Sequence, residues 1–157
     1  MEHSRWPVSG AEVAELIRAH DWAATPLGPI EAWPQSLRTM VDLMLQSEVM
    51  MSLTWGEQAI QIYNDAYARL IGPRSPGALG RSIFETFPEV RPFFEPHFAE
   101  AMAGRTVQLN DQLYPFVRKD VLEDAWFDIS YNPVRGEDGD IAGILSIISE
   151  TTARVLA

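Results

Sequence analysis

The sequence contains no cysteine. This absence excludes disulfide bonds, thiolate metal sites, cysteine nucleophiles and a flavin photosensor that works through a cysteinyl adduct. Long hydrophobic runs are also missing. No stretch approaches the roughly 20 apolar residues of a membrane span, and the opening MEHSRWPVSG lacks the apolar core of a signal peptide. We therefore expect a cytoplasmic protein with no membrane partner.

Basic residues are scarce as well. The chain has 12 lysines and arginines against 22 aspartates and glutamates, which gives a formal net charge of −10. Such a chain repels the phosphates of nucleic acids and anionic lipids, so neither is expected as a partner. The acidity serves either ordinary solubility or the attraction of a basic partner protein.

Enzymatic motifs are absent from this segment. There is no glycine-rich phosphate loop, no His-Glu-x-x-His, no Gly-x-Ser-x-Gly and no cluster of histidines and carboxylates at metal-ligand spacing. Glu85 and Glu89 lie four residues apart, but that spacing is typical of a solvated helix face. We expect neither a catalytic site nor a metal site in this segment; an effector enzyme of the parent protein would lie elsewhere.

The chain does contain enough apolar residues for one folded domain with an appendage, since 46% of its 157 residues are hydrophobic. Ser9 and Glu12 have the spacing of a capping box, which predicts a helix over residues 11–20. A connector rich in tryptophan and proline follows, and Pro34 then begins a second helix. The apolar stripe of that helix must pack on the following domain or on the same helix of a second chain. It comprises Leu37, Met40, Val41, Met44 and Leu45.

From Met50 the pattern changes to short strands and helices. Two strands come first and three come last, so one sheet can form only if the intervening helices cross one of its faces. Residues 141–148 are apolar at nearly every position, which predicts a central strand covered on both sides. The predicted strands are 50–55, 59–63, 106–117, 125–134 and 141–149, and the predicted helices are 65–71 (capped by Asn64), 83–87 and 92–103.

Several of these segments resemble signatures of PAS domains. They are Ile62–Tyr67, Leu79–Glu89 and Phe127–Val134, followed by Asp138-Gly139. The end of the chain, Ser149–Arg154, is similar to the Asp-Ile-Thr-Glu-Arg junction that leads such domains into an output helix. In addition, His20–Arg38 resembles a segment that precedes PAS domains in bacterial sensor histidine kinases and related multidomain regulators.

The resemblance implies an α+β fold with a five-stranded antiparallel sheet of order 2-1-5-4-3 and a pocket beneath the crossover helices. It divides the chain into an N-terminal helical extension (1–48), a PAS domain (49–152) and the start of an output helix (153–157). Signals would leave through Glu150, Thr151 and Thr152. The sequence has Glu150-Thr151 where the family usually has Asp-Ile.

The pocket of such a domain would bind a small apolar or aromatic molecule, unless its side chains simply fill the core. The candidate pocket residues are Phe84, Phe94, His97, Phe98, Met102, Leu113, Phe127 and Tyr131. No cofactor is identified by the sequence. Some PAS domains hold haem through a histidine on the helix that carries His97, which makes haem a further hypothesis.

Three functions remain open at this point. The first is a sensory input domain of a bacterial signalling protein, such as a sensor histidine kinase, that forms a homodimer and passes ligand binding to a C-terminal effector. The second is a ligand-free interaction and dimerisation module. The third is a haem-based gas or redox sensor that uses His97.

Overall fold

The computed structural model describes residues 5–157 and contains one antiparallel sheet of five strands in the order β2-β1-β5-β4-β3. This order confirms the predicted topology. The strands are β1 Met50–Trp55, β2 Ile60–Tyr63, β3 Val107–Arg118, β4 Val121–Arg135 and β5 Ile141–Glu150. The helices are α1 Glu12–Ala19, α2 Gln35–Gln46, α3 Asp65–Ile71, α4 Ile83–Thr86, α5 Arg91–Met102 and α6 Thr152–Leu156, with short 3-10 turns at Trp22–Ala24, Ile30–Ala32 and Gly72–Arg74.

Strand β5 lies at the centre of the sheet and pairs antiparallel with both β1 and β4. The pairing aligns Ser52, Ser146 and Tyr131 in one row across the three strands. Side chains on a strand alternate between faces, so this row marks one face of the sheet, and the neighbouring Leu53, Leu145 row marks the other. We call these the inner and outer faces.

The outer face of β1 and β2 is covered by α2. Leu37 of α2 lies beside Trp55 and Ile60, and the apolar stripe of the helix is turned inward. Leu37, Val41, Met44 and Leu45 are buried within the single chain, and Met40 is half-buried. The stripe is therefore covered by the chain's own sheet and is not available to the same helix of a second chain.

On the outer face of the sheet, the neighbouring strand β1 approaches β5 very closely at Gly143. A Cβ atom on this residue would lie 2.6 Å from the carbonyl oxygen of Thr54 and 2.6 Å from the indole of Trp55. Only glycine leaves room for the Trp55 ring to lie against β5 at this point. The outer face of the central strand is therefore closely packed.

Helix α1 begins differently from the sequence prediction. Ser9 and Glu12 do not form a capping box, because the N-cap position is Ala11 and Ser9 Oγ accepts a bond from the Ala11 amide instead. The first amides of the helix are bound by Asp65 of α3, whose carboxylate accepts from Glu12 N at 3.1 Å and Val13 N at 2.8 Å. A carboxylate suits the positive end of a helix. The cap thus joins the extension to the domain.

Asn64 fixes a second junction between the extension and the sheet. Its side chain is fully buried, and Nδ2 donates to the carbonyls of Met44, Ser47 and Val49. Its Oδ1 accepts from the amides of Tyr67 and Met51. The predicted helix cap at Asn64 is therefore confirmed, and the same residue also holds the end of α2 against the start of β1.

The β3–β4 hairpin is longer than predicted. Strand β4 begins at Val121, four residues before the predicted start, and Lys119 and Asp120 form the turn with φ values of +53° and +64°. Two left-handed residues are typical of a tight hairpin turn. The usual Asn-Gly or Asp-Gly signal is missing here.

Among the described residues, no helix is both long and apolar enough to cross a membrane.

Candidate functional site

A cavity of about 80 Å³ lies between the inner face of the sheet and helices α3 to α5. Its walls are mostly aromatic and branched apolar side chains, and its floor is the sheet. The lining residues are Ser52, Tyr67, Leu70, Ile71, Ile83, Phe87, Val90, Phe94, Phe98, Tyr114, Phe116, Phe127, Ile129, Tyr131, Ser146 and Ile148. The predicted pocket between sheet and crossover helices therefore exists as a space.

Hydroxyl groups cross the floor of this cavity in a row. Ser52, Ser146 and Tyr131 occupy directly opposite positions on β1, β5 and β4, and neighbouring strands lie about 4.8 Å apart. Tyr114 extends the row, since its hydroxyl lies 2.8 Å from that of Tyr131. Tyr67 of α3 extends it at the β1 end. We call these five residues the hydroxyl row.

The tyrosines of the hydroxyl row remain protonated at neutral pH. Burial raises the pKa of Tyr114 to about 12, and burial also raises the pKa values of Tyr67 and Tyr131 well above the usual 10.0. The charged phenolate would lose its hydration in this apolar space. The row therefore presents neutral hydroxyl groups to anything that enters the cavity.

Gln61 lies behind the β1 end of the hydroxyl row. It is fully buried, and its Nε2 donates to Ser52 Oγ and to the Tyr67 hydroxyl, both at 2.8 Å. Its Oε1 has no hydrogen-bond partner among the described residues. A buried amide of this kind holds the two hydroxyl groups in fixed positions.

The structure places the eight predicted pocket residues in two groups. Phe94, Phe98, Phe127 and Tyr131 line the cavity, whereas Phe84, His97, Met102 and Leu113 do not. Phe84 stacks against Phe94 behind the wall, with ring centroids 5.9 Å apart. His97 stacks on Tyr131, with centroids 6.1 Å apart. Whether the four lining residues contact a ligand remains a prediction.

A β-bulge explains why the placement of Leu113 is wrong. Strand β3 shifts its register between Leu109 and Gln112, and Asp111 within the bulge has a φ of +48°. Inward-facing positions therefore change from odd to even numbers along the strand. As a result Tyr114 and Phe116 face the cavity. Leu113 lies on the outer face.

Met102 is also misplaced by the sequence analysis. It is the last residue of α5 and is 39% exposed. The buried side of α5 carries Phe94, Phe98 and Ala101, a spacing of four and three residues that defines one helix face. Met102 lies about 100° further round the helix from Ala101.

The cavity does not fit haem. Haem iron needs an axial ligand that projects into the pocket, and His97 is outside the lining. The space of about 80 Å³ is also far too small for the macrocycle. Within residues 5–157, no group of three or more histidine, aspartate or glutamate side chains is arranged to hold a metal ion.

One ion pair joins the helices to the sheet beside the cavity. Arg74 and Glu89 contact each other, Arg74 also donates to Thr86 O at 2.9 Å, and Glu89 accepts from Val117 N at 2.8 Å. Burial alone would raise the pKa of Glu89, but the hydrogen bonds from Val117 and Arg74 outweigh it and leave the pKa lowered. The pair ties the helical layer to edge strand β3.

Strand β5 ends in a polar junction despite the unusual Glu150-Thr151 sequence. Arg118 binds the Glu150 carboxylate in bidentate fashion at 2.9 and 3.0 Å. The Thr152 hydroxyl donates to Glu150 at 2.7 Å and accepts from Trp126 N at 3.0 Å. These bonds, led by those from Arg118, lower the pKa of Glu150. The Thr151 hydroxyl is buried and has no partner among the described residues.

A further contact at the start of α6 was missed by the sequence analysis. Arg154 lies 2.7 Å from Asp111 and 3.6 Å from Asp128, and the Asp111 amide donates to Asp128 at 2.9 Å. The bulge that displaces Leu113 also points Asp111 at α6. No local pattern predicts this, because Asp111 and Arg154 are separated by 43 positions.

The sequence analysis also missed most of the hydroxyl row. A signal for it existed, because Ser52 and Ser146 interrupt strands whose other residues are largely apolar. A buried polar residue is informative, since burying it costs free energy unless it is hydrogen-bonded. The positions opposite one another on three strands became visible only with the register.

The family comparison identifies the fold. A family model described as the PAS fold matches residues 56–156, which is more than half of the chain. The chain therefore belongs to the PAS family. PAS domains are sensory modules that commonly dimerise and relay signals to effectors, in agreement with the resemblance found in the sequence.

Solved structures support the same fold. The PAS domain of a protein from Colwellia psychrerythraea is 18% identical, with a TM-score of 0.53, and covers 75% of this chain and 98% of its own. An RNA-binding Light-Oxygen-Voltage receptor is 21% identical, with a TM-score of 0.56, and the alignment covers 83% of this chain. VqmA of Vibrio cholera, in a complex with ligand and DNA, is 22% identical, with a TM-score of 0.56, and covers 73% of this chain and 51% of its own.

This chain spans 38% of the length of the Light-Oxygen-Voltage receptor. The comparison with curated proteins gives no match. Because these sequence identities are low, the structural similarities establish the fold alone.

Proposed function

We propose that this chain is the input module of a bacterial signalling protein, in which a small neutral molecule in the cavity alters the C-terminal junction. One observation carries the proposal: the cavity floor and the junction share strand β5. Ser146 and Ile148 line the cavity, and Glu150 on the same strand binds Arg118 and Thr152. A ligand that moves the floor would therefore move the junction.

The junction is suited to pass on such a movement. Its bonds join the end of β5 to two other strands, since Thr151 N donates to Trp126 O of β4 at 2.7 Å and Arg118 belongs to β3. A small change in the position of β5 must therefore alter either these bonds or the direction of α6. A structural element that can take two discrete arrangements is the usual basis of a conformational switch.

The remaining parts of the proposal concern the parent protein. We propose a cytoplasmic location, a homodimer and a C-terminal effector such as a histidine kinase. We also propose the division into an extension (1–48), a PAS domain (49–152) and the start of an output helix (153–157). The dimer would use surfaces other than the buried stripe of α2, for example the exposed Leu156 of α6.

The test is a screen of neutral small molecules by NMR on the purified chain. A compound that shifts methyl signals of Ile148 should also shift amide signals of residues 150–156. A Ser146→Leu variant, which fills the cavity, should remove both effects, and Ser149→Leu on the exposed side of β5 should remove neither. Binding at Ile148 with no change beyond Glu150 would disprove the relay, and no binding at all would disprove the sensor.

A second candidate is a ligand-free interaction module, and the cavity size favours it. The volume of about 80 Å³ is about half of the roughly 150 Å³ known to accept benzene. The hairpin residues Val121 and Leu122 are 56% and 62% exposed and offer an apolar surface. Analytical ultracentrifugation of the chain and of Leu122→Asp tests this alternative, which requires a dimer that the substitution weakens.

A further inference from the structure

At the β1 end of the hydroxyl row, Gln61 binds two hydroxyl groups through Nε2, while its own Oε1 has no partner among the described residues. Gln61 Nε2 donates to both Ser52 Oγ and the Tyr67 hydroxyl. Each hydroxyl oxygen therefore accepts a hydrogen bond from Gln61, and its own hydrogen remains free to be donated. Even if one of the two donates to the other, one O–H hydrogen remains without an acceptor from the protein.

The other end of the row also has a hydroxyl hydrogen to spare. The hydroxyl groups of Tyr114 and Tyr131 lie 2.8 Å apart, and one donates to the other. The second hydrogen of the pair has no acceptor among the described residues. Because burial raises the pKa of both tyrosines, these groups act as donors at any physiological pH.

Ser146 occupies the middle of the row. The residue is 3% exposed, and it lines the cavity. It stands directly opposite Ser52 on one side and Tyr131 on the other. A ligand acceptor that enters the cavity can therefore take a hydrogen bond from the Ser146 hydroxyl, which is worth about fivefold in affinity, or about 1 kcal/mol.

The lining residues also set the charge of the ligand. Among the residues that the structure describes, none of those lining the cavity is an aspartate, glutamate, lysine, arginine or histidine. A charged molecule would lose its hydration without gaining an opposite charge, which is strongly unfavourable. The ligand must therefore be neutral, largely apolar, and rich in acceptors relative to donors.

We propose that the cavity selects a neutral molecule no larger than a single ring, whose hydrogen-bond acceptor binds the Ser146 hydroxyl at the centre of the row. This inference rests on the proposed sensor function and adds the chemical class of the ligand. A six-membered ring enters with some movement of Phe94 and Phe98, because the space of about 80 Å³ is smaller than a benzene cavity.

Three probes of similar size test the chemistry at a pH where all are neutral. Pyridine carries an acceptor, benzene carries neither donor nor acceptor, and pyrrole carries a donor only. Binding is measured by titration of the chain with isotope-labelled isoleucine methyl groups, because Ile71, Ile83, Ile129 and Ile148 all line the cavity. Pyridine should bind about fivefold more tightly than benzene, the value of one neutral hydrogen bond, and pyrrole should bind no better than benzene.

The Ser146→Ala variant tests the position of the acceptor. It should weaken pyridine binding about fivefold and leave benzene binding unchanged or slightly improved. The matched control is Ser149→Ala, the same change on the same strand at an exposed position, which should alter neither affinity. Since the substitution removes one oxygen atom and adds no bulk, the variant should fold, and its thermal stability is checked first.

The outcomes separate the two levels of the proposal. If pyrrole binds as tightly as pyridine, or if Ser146→Ala leaves the pyridine affinity unchanged, the inferred ligand chemistry is wrong while the cavity remains a binding site. If all three probes leave the isoleucine signals unchanged, the sensor function itself fails and this inference fails with it. If pyridine affinity falls fivefold in Ser146→Ala but not in Ser149→Ala, and benzene affinity falls in neither, both the sensor function and the inferred ligand chemistry are supported.

Discussion

The two faces of the sheet differ in how they are covered. On the outer face, the buried apolar stripe of α2 lies against β1 and β2, and Trp55 of β1 lies over Gly143 of β5. On the inner face, α3 to α5 leave a cavity with a row of hydroxyl groups on its floor. Both layers are apolar, so composition does not distinguish them. The outer layer also leaves a groove of about 380 Å³ between the connector and the β1–β2 turn. We infer that the extension mainly supports the sheet, while the apolar cavity beneath the crossover helices offers the space for a ligand.

The largest expected effect concerns Trp22, which anchors the outer layer. Its side chain is 2% exposed, its Nε1 donates to Ile17 O at 2.8 Å, and its ring contacts Trp33. Trp22→Ala should lower the free energy of unfolding by about 4 kcal/mol, since a large cavity forms. Urea denaturation measures this. Trp126→Ala, at a half-buried outer position on β4, should cost about 1 kcal/mol. Equal costs would contradict the proposed role of the outer layer.

A matched pair of valines compares the free space on the two sides directly. Val41 of α2 is fully buried in the outer layer, and Val90 lines the cavity. Val41→Ile should destabilise the protein by about 1.5 kcal/mol through overpacking. In contrast, Val90→Ile should stabilise it by up to about 0.8 kcal/mol, because the added methyl fills open space. Chemical denaturation of both variants gives the difference, and effects of the same sign would show that the faces are packed alike.

The smallest effect concerns Glu150, at the end of the strand that both faces share. Its pKa is lowered from the usual 4.5, chiefly by the hydrogen bonds from Arg118. A lowered pKa stabilises the folded state above pH 4.5, and the contribution is lost as the pH falls through the folded-state value. Glu150→Gln should therefore cost about 1 kcal/mol at pH 7, a value reduced by partial solvent exposure.

Thermal denaturation at pH 7 and at acid pH measures this contribution. The stability gap between the wild type and Glu150→Gln should narrow at acid pH. Glu89 also has a lowered pKa, but it is present in both proteins and cancels in the difference. A gap that stays constant with pH would mean that the Arg118 pair does not stabilise the junction.

Much of the fold was predictable because its signals are local. The bounds of β1 and α3 match the prediction to the residue, since alternation marks the strand and Asn64 marks the start of the helix. The central position of β5 followed from its continuous apolar run, which requires cover on both faces. The candidate site was predicted less well. Phe94, Phe98, Phe127 and Tyr131, which the resemblance to PAS domains places in the pocket, do line the cavity, whereas Leu113 does not because a bulge shifts its strand.

The sequence by itself determined the order of the elements, the single sheet and the apolar side of each helix, because these depend on neighbours within a few positions. The tertiary structure alone decided which carboxylate caps α1, which face Leu113 takes and which hydroxyl groups meet on the cavity floor. Asp65 lies 53 positions from Glu12, and the row of Ser52, Ser146 and Tyr131 depends on the register of three strands. A bulge of one residue reverses the inward side of a strand, so such contacts follow from the folded chain and not from its local pattern.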